Sequence, residues 1–283
     1  MIAIMNTKIV KALSYGSKAS VLLVCATALI WPFISQKEPL EVESTVPATE
    51  FVKKPKTPEK PLHDVVLPDF ADIRDIPTKK RAFFEFLRPA VEAENDAISH
   101  LREQLLEIQE ATSLEQALSS EQEQLLSSQI KKYRVNKRFS QMRQIDELLK
   151  RVDIIPPALI LVQAANESAW GTSRFARIGL NFFGIWCYKK GCGMVPNSRD
   201  HGANHEVAAF SSVKEAVHKY VHNINTNNAY MVFRSIRAQL REQELPLSPQ
   251  VLATGLLPYS ERGTDYVLEI TAMIRQNQEY LSN

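Results

Sequence analysis

Apolar residues recur at helical steps from Lys79 to about Lys150. Leu87, Val91, Ile98, Leu101, Leu105 and Ile108 follow three- and four-residue spacing, with Glu94 as the one polar interruption. A second run holds Leu114, Leu118, Leu125, Leu126, Ile130 and Tyr133, and Ser113 with Gln116 gives it a capping-box start. From Asp146 the texture changes. Pro156-Pro157 marks a helix start, since proline suits the first helical position. Ala158 to Ala165 is then apolar nearly all round, apart from Gln163, and a helix apolar on every side is a buried one. Residues 171–213 mix glycine, aromatics and short candidate strands with turns. Helical spacing resumes over 213–225, 229–244 and 264–279. The pattern predicts an α+β, predominantly helical protein with a small β-hairpin.

The first 78 residues follow different rules. Lys8, Lys11 and Lys18 precede Ala19 to Gln36, an uncharged run of 18 residues. That length suits a signal anchor over 1–36, with a cleaved signal peptide as the alternative. Either way the basic flank stays cytoplasmic and the rest of the chain is exported, placing it in the periplasm at the inner membrane. Residues 37–78 contain seven of the fifteen prolines and no glycine, with Lys and Glu interspersed. Such a segment buries too little apolar surface to fold, so it is expected to be a disordered linker with a span of about 40 Å. The expected organisation is therefore an anchor over 1–36, a linker over 37–78, a helical segment over 79–145 and a catalytic domain over 146–283.

Charge narrows the partners. Thirty-four basic and 32 acidic residues leave a net charge of +2, so no strong basic field points to nucleic acid. Eight of the nine glycines lie after residue 170, which concentrates unusual backbone, and hence candidate sites, in the C-terminal half.

The chemistry centres on Glu167. It stands at the C-terminal end of the apolar helix, in Asn166-Glu167-Ser168-Ala169-Trp170-Gly171. Partial desolvation and the negative end of the helix dipole both disfavour its charged form and raise its pKa. A carboxyl group kept protonated near neutral pH is what a glycosidase needs to donate a proton to a leaving sugar oxygen. The alternative is a solvated glutamate at a helix end.

Three motifs then resemble a known family. Glu167-Ser-Ala-Trp-Gly-Thr-Ser173 resembles the E-S-x-W-G-x-S signature of the bacterial glucosaminidases, which cleave peptidoglycan glycan strands. Asn181-Phe-Phe-Gly-Ile185 and Tyr259-Ser-Glu-Arg-Gly263, followed by Tyr266, are similar to that family's later motifs. The stretch from Trp186 to Gly193 looks most like the Bax branch, a group of envelope proteins. The resemblance covers residues 146–283 strongly and 79–145 more loosely. It implies a lysozyme-like fold, whose helical lobe and β-hairpin flank a glycan cleft, and peptidoglycan glycan strands as the partner. Glu167 would be the general acid acting after an N-acetylglucosamine unit. A second carboxylate is expected on the hairpin between Cys192 and Phe210, which offers Asp200 and Glu206. Glu206 is preferred for its strand-like neighbours. Should no acid be in place, the substrate's own acetamido group can act as nucleophile, with Tyr259 orienting it. Trp170, Asn181, Phe183, Trp186 and Tyr266 are the expected substrate-binding residues, with Trp186 and Tyr259 facing the cleft.

Cys187 and Cys192 flank a turn-like Tyr-Lys-Lys-Gly stretch and, in an oxidising compartment, can form a local disulfide, with free thiols as the alternative. No metal and no cofactor is expected. A zinc site would need His201 and His205 to complete it, and His218 with His222 lacks a third ligand. Ser168 and Ser173 have no triad partners and fit helix-end hydrogen bonding better than nucleophilic roles. Two other outcomes stay open: lytic transglycosylation, and a glycan-binding or scaffold protein without activity.

Overall fold

The computed structural model describes residues 60–196 and 205–282. The proposed anchor, most of the linker and Asp200 lie outside the described residues. No helix among the described residues is long and apolar enough to cross a membrane.

Helix α1 (Ile76–Ser113) starts at Asp75, whose side chain accepts from the Thr78 amide, and carries Pro89 inside it. Its buried stripe includes Phe83, Phe84, Leu87, Val91, Ile98, Leu105 and Ile108. Helix α2 (Ser120–Lys132) follows, then α3 (Gln141–Arg151) and α4 (Pro157–Glu167). The expected cap at Ser113 is not used, because Ser113 is the last residue of α1. Glu115 turns into the left-handed region (φ 53°) and stops α1 there. The next S-x-x-Q, Ser119 with Gln122, forms the capping box instead.

Helix α4 occupies the centre. Leu159 through Ala165 are all buried, Gln163 included. It packs between α1 and a late helix, α9 (Thr264–Gln276). Helix α1 also packs on α3 and on α6 (Val213–Thr226). The expected division at residue 145 therefore does not appear: residues 57–283 cluster as one compact unit. Phe83 and Phe84 belong to the same core as Leu159 and Phe182, so neither segment could bury its apolar face without the other.

The linker expectation also fails at its C-terminal end. From residue 60 the chain is strapped to the body. The Leu62 amide donates to the Ile178 carbonyl at 2.8 Å, and His63 Nε2 donates to the Arg177 carbonyl at 3.0 Å. Phe70 is 2 % exposed and meets Phe83 and Phe86 edge-on. One aromatic anchor and two long-range hydrogen bonds compensate the entropy that the proline-rich composition alone could not.

Between Gly171 and Val213 the expected strands and turns also contain a short helix, α5 (Arg174–Gly179), N-capped by Ser173. The single hairpin becomes a three-stranded antiparallel sheet in the order β1-β3-β2, made of Trp186–Cys187, Glu206–Ala208 and Gly193–Met194. After α6 come a 3-10 turn (Asn228–Tyr230), α7 (Met231–Glu242), the short α8 (Pro249–Ala253) and a second 3-10 turn (Thr254–Tyr259). Helix α9 and a last turn, α10 (Gln278–Leu281), end the chain.

Candidate active site

The motif around Glu167 is a helix stop built from strained backbone. Ala169, Trp170 and Gly171 all have positive φ (50°, 57° and 77°). Two of these carry side chains, so surrounding contacts must hold them there. Ser168 does part of this: its hydroxyl donates to the Ala164 carbonyl at 2.6 Å and accepts from the Gly171 amide at 2.8 Å. Gly171 is required for space as well, since a Cβ there would lie 2.4 Å from the Phe70 ring. The sharp stop leaves Glu167 as the last helical residue, half-buried, at the wall of a cleft of about 710 Å³.

The Asn181 loop forms the facing wall. Asn181 is 1 % exposed, and its amide closes the loop on itself. Its Nδ2 donates to the carbonyls of Ile185 and Ala208, and its Oδ1 accepts from the amides of Phe183 and Ile185. This folding presents Gly184 (φ 64°) to Glu167: a Cβ there would sit 3.9 Å from Oε2. Phe183 stacks on Tyr220 at 4.2 Å and is buried, with one edge at the cleft. Tyr259 also lines the cleft, donates its hydroxyl to the Phe183 carbonyl at 2.9 Å, and stacks on Tyr266 at 5.4 Å.

Burial raises the Glu167 pKa above the usual carboxylate range. Hydrogen bonds from Tyr266 and Asn166 pull the other way, Glu269 adds repulsion and Arg262 attraction. Behind Glu167 runs a fixed relay. The Tyr220 hydroxyl donates to Gln163 Oε1, Gln163 Nε2 donates to the Tyr266 hydroxyl at 2.9 Å, and Tyr266 in turn bonds Glu167. Gln163 lies one helical turn before Glu167 on the same face. A lone amide at i−4 from the acid, in an otherwise apolar helix, was the sequence signal for this role, and spacing alone did not assign it.

Several expected site residues lie elsewhere. Trp170 is not in the cleft. It packs against the edges of Phe83 and Phe84 at 5.7 and 5.3 Å, with Lys80 Nζ 5.5 Å over its ring. Asn181 has its polar atoms committed to the loop rather than to a ligand. Tyr266 is 1 % exposed and positions Glu167 from behind instead of contacting sugar. Trp186 does face the cleft, 52 % exposed and stacked on His205 at 4.2 Å.

Glu206 is not a second acid of the cleft. It is 5 % exposed, and its two carboxylate oxygens accept from the amides of Gly191 and Gly193 at 3.0 and 2.9 Å. The register explains this, since Glu206 pairs with Cys187 and so faces the 187–192 loop. That loop is closed by a disulfide between Cys187 and Cys192. Cys187, Cys192 and Glu206 together form the one grouping of possible metal ligands among the described residues. Its thiols are joined and its carboxylate is engaged, so the donor set does not suit a metal. Among the described residues, Glu167 is the single carboxylate lining the cleft.

One cleft wall went unnoticed in the sequence. Lys219, Tyr220, His222, Asn223 and Thr226 of α6 line it, together with Tyr230 and Arg134. Their spacing is that of one helix face, which composition cannot distinguish from a solvated one.

Residues 142–279 match the family model described as mannosyl-glycoprotein endo-beta-N-acetylglucosaminidase. The chain is also 36 % identical over 216 residues to the protein called Protein bax of Escherichia coli (strain K12), covering 75 % of each. The chain belongs to the glucosaminidase family. The family match starts at the first turn of α3 and takes in Glu167, the Asn181 loop, Tyr259 and Tyr266. The likeness to the Bax protein is longer than the family match, so it reaches outside that region. No solved structure matches.

Proposed function

We propose that this glucosaminidase-family chain is a peptidoglycan hydrolase, an endo-β-N-acetylglucosaminidase that cleaves the β-1,4 bond after N-acetylglucosamine. The observation that carries the reading is Glu167: a half-buried carboxyl at a helix end, lining an aromatic cleft, with its pKa raised by burial. Protonated Glu167 gives its proton to the glycosidic oxygen as the bond to the anomeric carbon breaks. With Glu206 engaged by Gly191 and Gly193, the acetamido oxygen of the same sugar takes the electron-poor carbon. Water then attacks that carbon and displaces the acetamido oxygen, which regains its electron pair, while Glu167, now a carboxylate, takes the water's proton. Tyr259 donates its hydroxyl proton to Phe183, so its oxygen remains an acceptor for the acetamido N–H. Trp186 offers an exposed ring for an apolar sugar face. The basic and apolar N-terminal run supports export to the periplasm with residues 19–36 as an inner-membrane anchor, or cleavage there as a signal peptide.

The test is mass spectrometry of peptidoglycan digested by the purified protein, with Glu167→Gln beside it. Hydrated fragments ending in reducing N-acetylglucosamine, and none from the variant, are expected. Anhydro ends would replace hydrolysis with lytic transglycosylation. A folded wild-type protein that binds glycan and releases nothing would favour the second reading, a binding protein, which the engagement of Glu206 motivates.

A further inference from the structure

The cleft is electrically lopsided. Glu167 is its acid, and burial disfavours that acid's charge. The same cleft is also lined by Lys219, on α6, and Arg134, in the turn after α2. Both are exposed, and among the described residues neither forms a salt bridge. Arg134 holds a left-handed backbone (φ 58°) that favours glycine, which sets its side chain at the cleft rim. It also lines a cavity of about 300 Å³ together with Arg143, Arg151 and Glu147, three cations to one acid.

Acids on the neighbouring elements offset this field only in part, Glu215 on α6 being attracted to Lys219. Glu94 on α1 is held by His218 at 2.9 Å, Glu215 by the Ser211 amide and hydroxyl, and Glu147 by Lys150 at 3.0 Å. His222 lines the same cleft, and its buried Nδ1 has no hydrogen-bond partner among the described residues. Its pKa is pushed down to about 4 by burial, then by His218, Lys132, Arg134 and Lys219. Behind burial, the charges that act on the imidazole are all cations, Arg134 and Lys219 among them.

We propose that Arg134 and Lys219, which line the Glu167 cleft from the turn after α2 and from α6, form a subsite for the carboxylates that peptidoglycan strands carry and plain N-acetylglucosamine polymers lack. The proposal rests on the glycan-cleft reading above. Those carboxylates have two sources, the lactyl group of the muramic sugar and its peptide stem. A guanidinium fork and an ammonium suit either one. Neutral strands would meet the aromatics of the cleft and leave these two cations uncompensated, so the subsite selects the anionic polymer.

Binding is measured with the Glu167→Gln protein, so that strands stay intact. The probes are stem-bearing strands, strands stripped of stems by an amidase, and both after chemical amidation of every carboxylate. Carboxylate forms should bind about tenfold tighter than amidated ones. Adding R134Q and K219Q should erase that ratio, and salt should shrink it. A ratio confined to stem-bearing strands assigns the stem carboxylates, and one kept after stripping assigns the lactyl group. Equal binding of charged and amidated strands overturns the subsite, as does a ratio that survives in the triple variant. Circular dichroism checks that each variant is folded. Digestion by the protein with Glu167 intact separates the two ideas. Charge-dependent binding without cleavage strikes only the hydrolase reading, and cleavage with charge-blind binding strikes only this one.

Discussion

Helix α4 is bracketed by two carboxyl groups, one buried and one half-buried, whose pKa values move in opposite directions. Asp153, just before its start, is 2 % exposed, and burial alone would raise its pKa. Arg241 bonds it at 2.9 and 3.1 Å, and Arg102 and Arg237 stand 3.8 and 3.9 Å away, so it is held below the usual carboxylate range. Glu167, at the other end, has no guanidinium bonded to it among the described residues, and burial wins. Burial pushes both carboxyls toward the neutral form, and the three guanidiniums reverse that push at Asp153 alone. Partners decide the protonation state, and enclosure sets how much the partners matter. Asp153 ties α1, α3 and α7 to the entry of α4, and Glu167 is left available at its exit.

The sharpest way to break the comparison is Glu167→Gln. It should lower glycan cleavage by about 10²–10⁴-fold, read as released reducing ends. It should also stabilise the protein at neutral pH. A carboxyl whose folded pKa is raised contributes stability below its unfolded pKa and loses it as pH rises through the folded value. Wild-type melting temperature should therefore fall across that window, and the variant should lack the fall. A glutamine variant that cleaves normally would falsify the general-acid role.

Asp153→Ala should behave in the opposite sense. It leaves Arg237, which is fully buried, without its counter-ion and should cost about 3–5 kcal/mol in urea unfolding. Because the Asp153 pKa is lowered, its contribution is present above the ordinary value of 3.8 and disappears as pH drops below it. An alanine variant as stable as wild type would mean that the arginines find other partners.

Smaller effects sharpen the picture. Replacing Cys187 and Cys192 by serine should cost about 2 kcal/mol in the same assay, since the closed loop is short. Trp186 and Tyr188 sit on that loop at the cleft, so KM should rise more than kcat falls. Tyr266→Phe should cost about 1 kcal/mol by stranding Gln163 Nε2. It also removes a hydrogen bond that lowers the Glu167 pKa, so the alkaline limb of the activity profile should move to higher pH.

Much of the scaffold was legible in the residues. The period of Leu87 to Ile108 marked α1, the proline pair marked the start of α4, and the all-apolar run marked its central burial. Glu167 stood out because a charge at the end of such a helix needs a reason. The site's partners were less legible. Trp170 and Asn181 sit in motifs beside the acid, and proximity in sequence suggested sugar contact. In the fold Trp170 faces Phe83 and Phe84, and Asn181 faces its own backbone. Motif residues can serve the shape of a site without touching what it binds.

By itself the amino-acid sequence determined which segments are helical, which helix is buried, and that Glu167 stands at the end of that buried helix. Those features depend on spacing and on neighbours a few residues away. Only the tertiary structure decided that Glu206 turns to Gly191 and Gly193, that α1 shares one core with α4, and that Arg134 and Lys219 line one cleft. Each depends on strand register or on helices far apart in the chain. A one-residue change of register sends a side chain to the opposite face, and no local spacing reports which face was chosen.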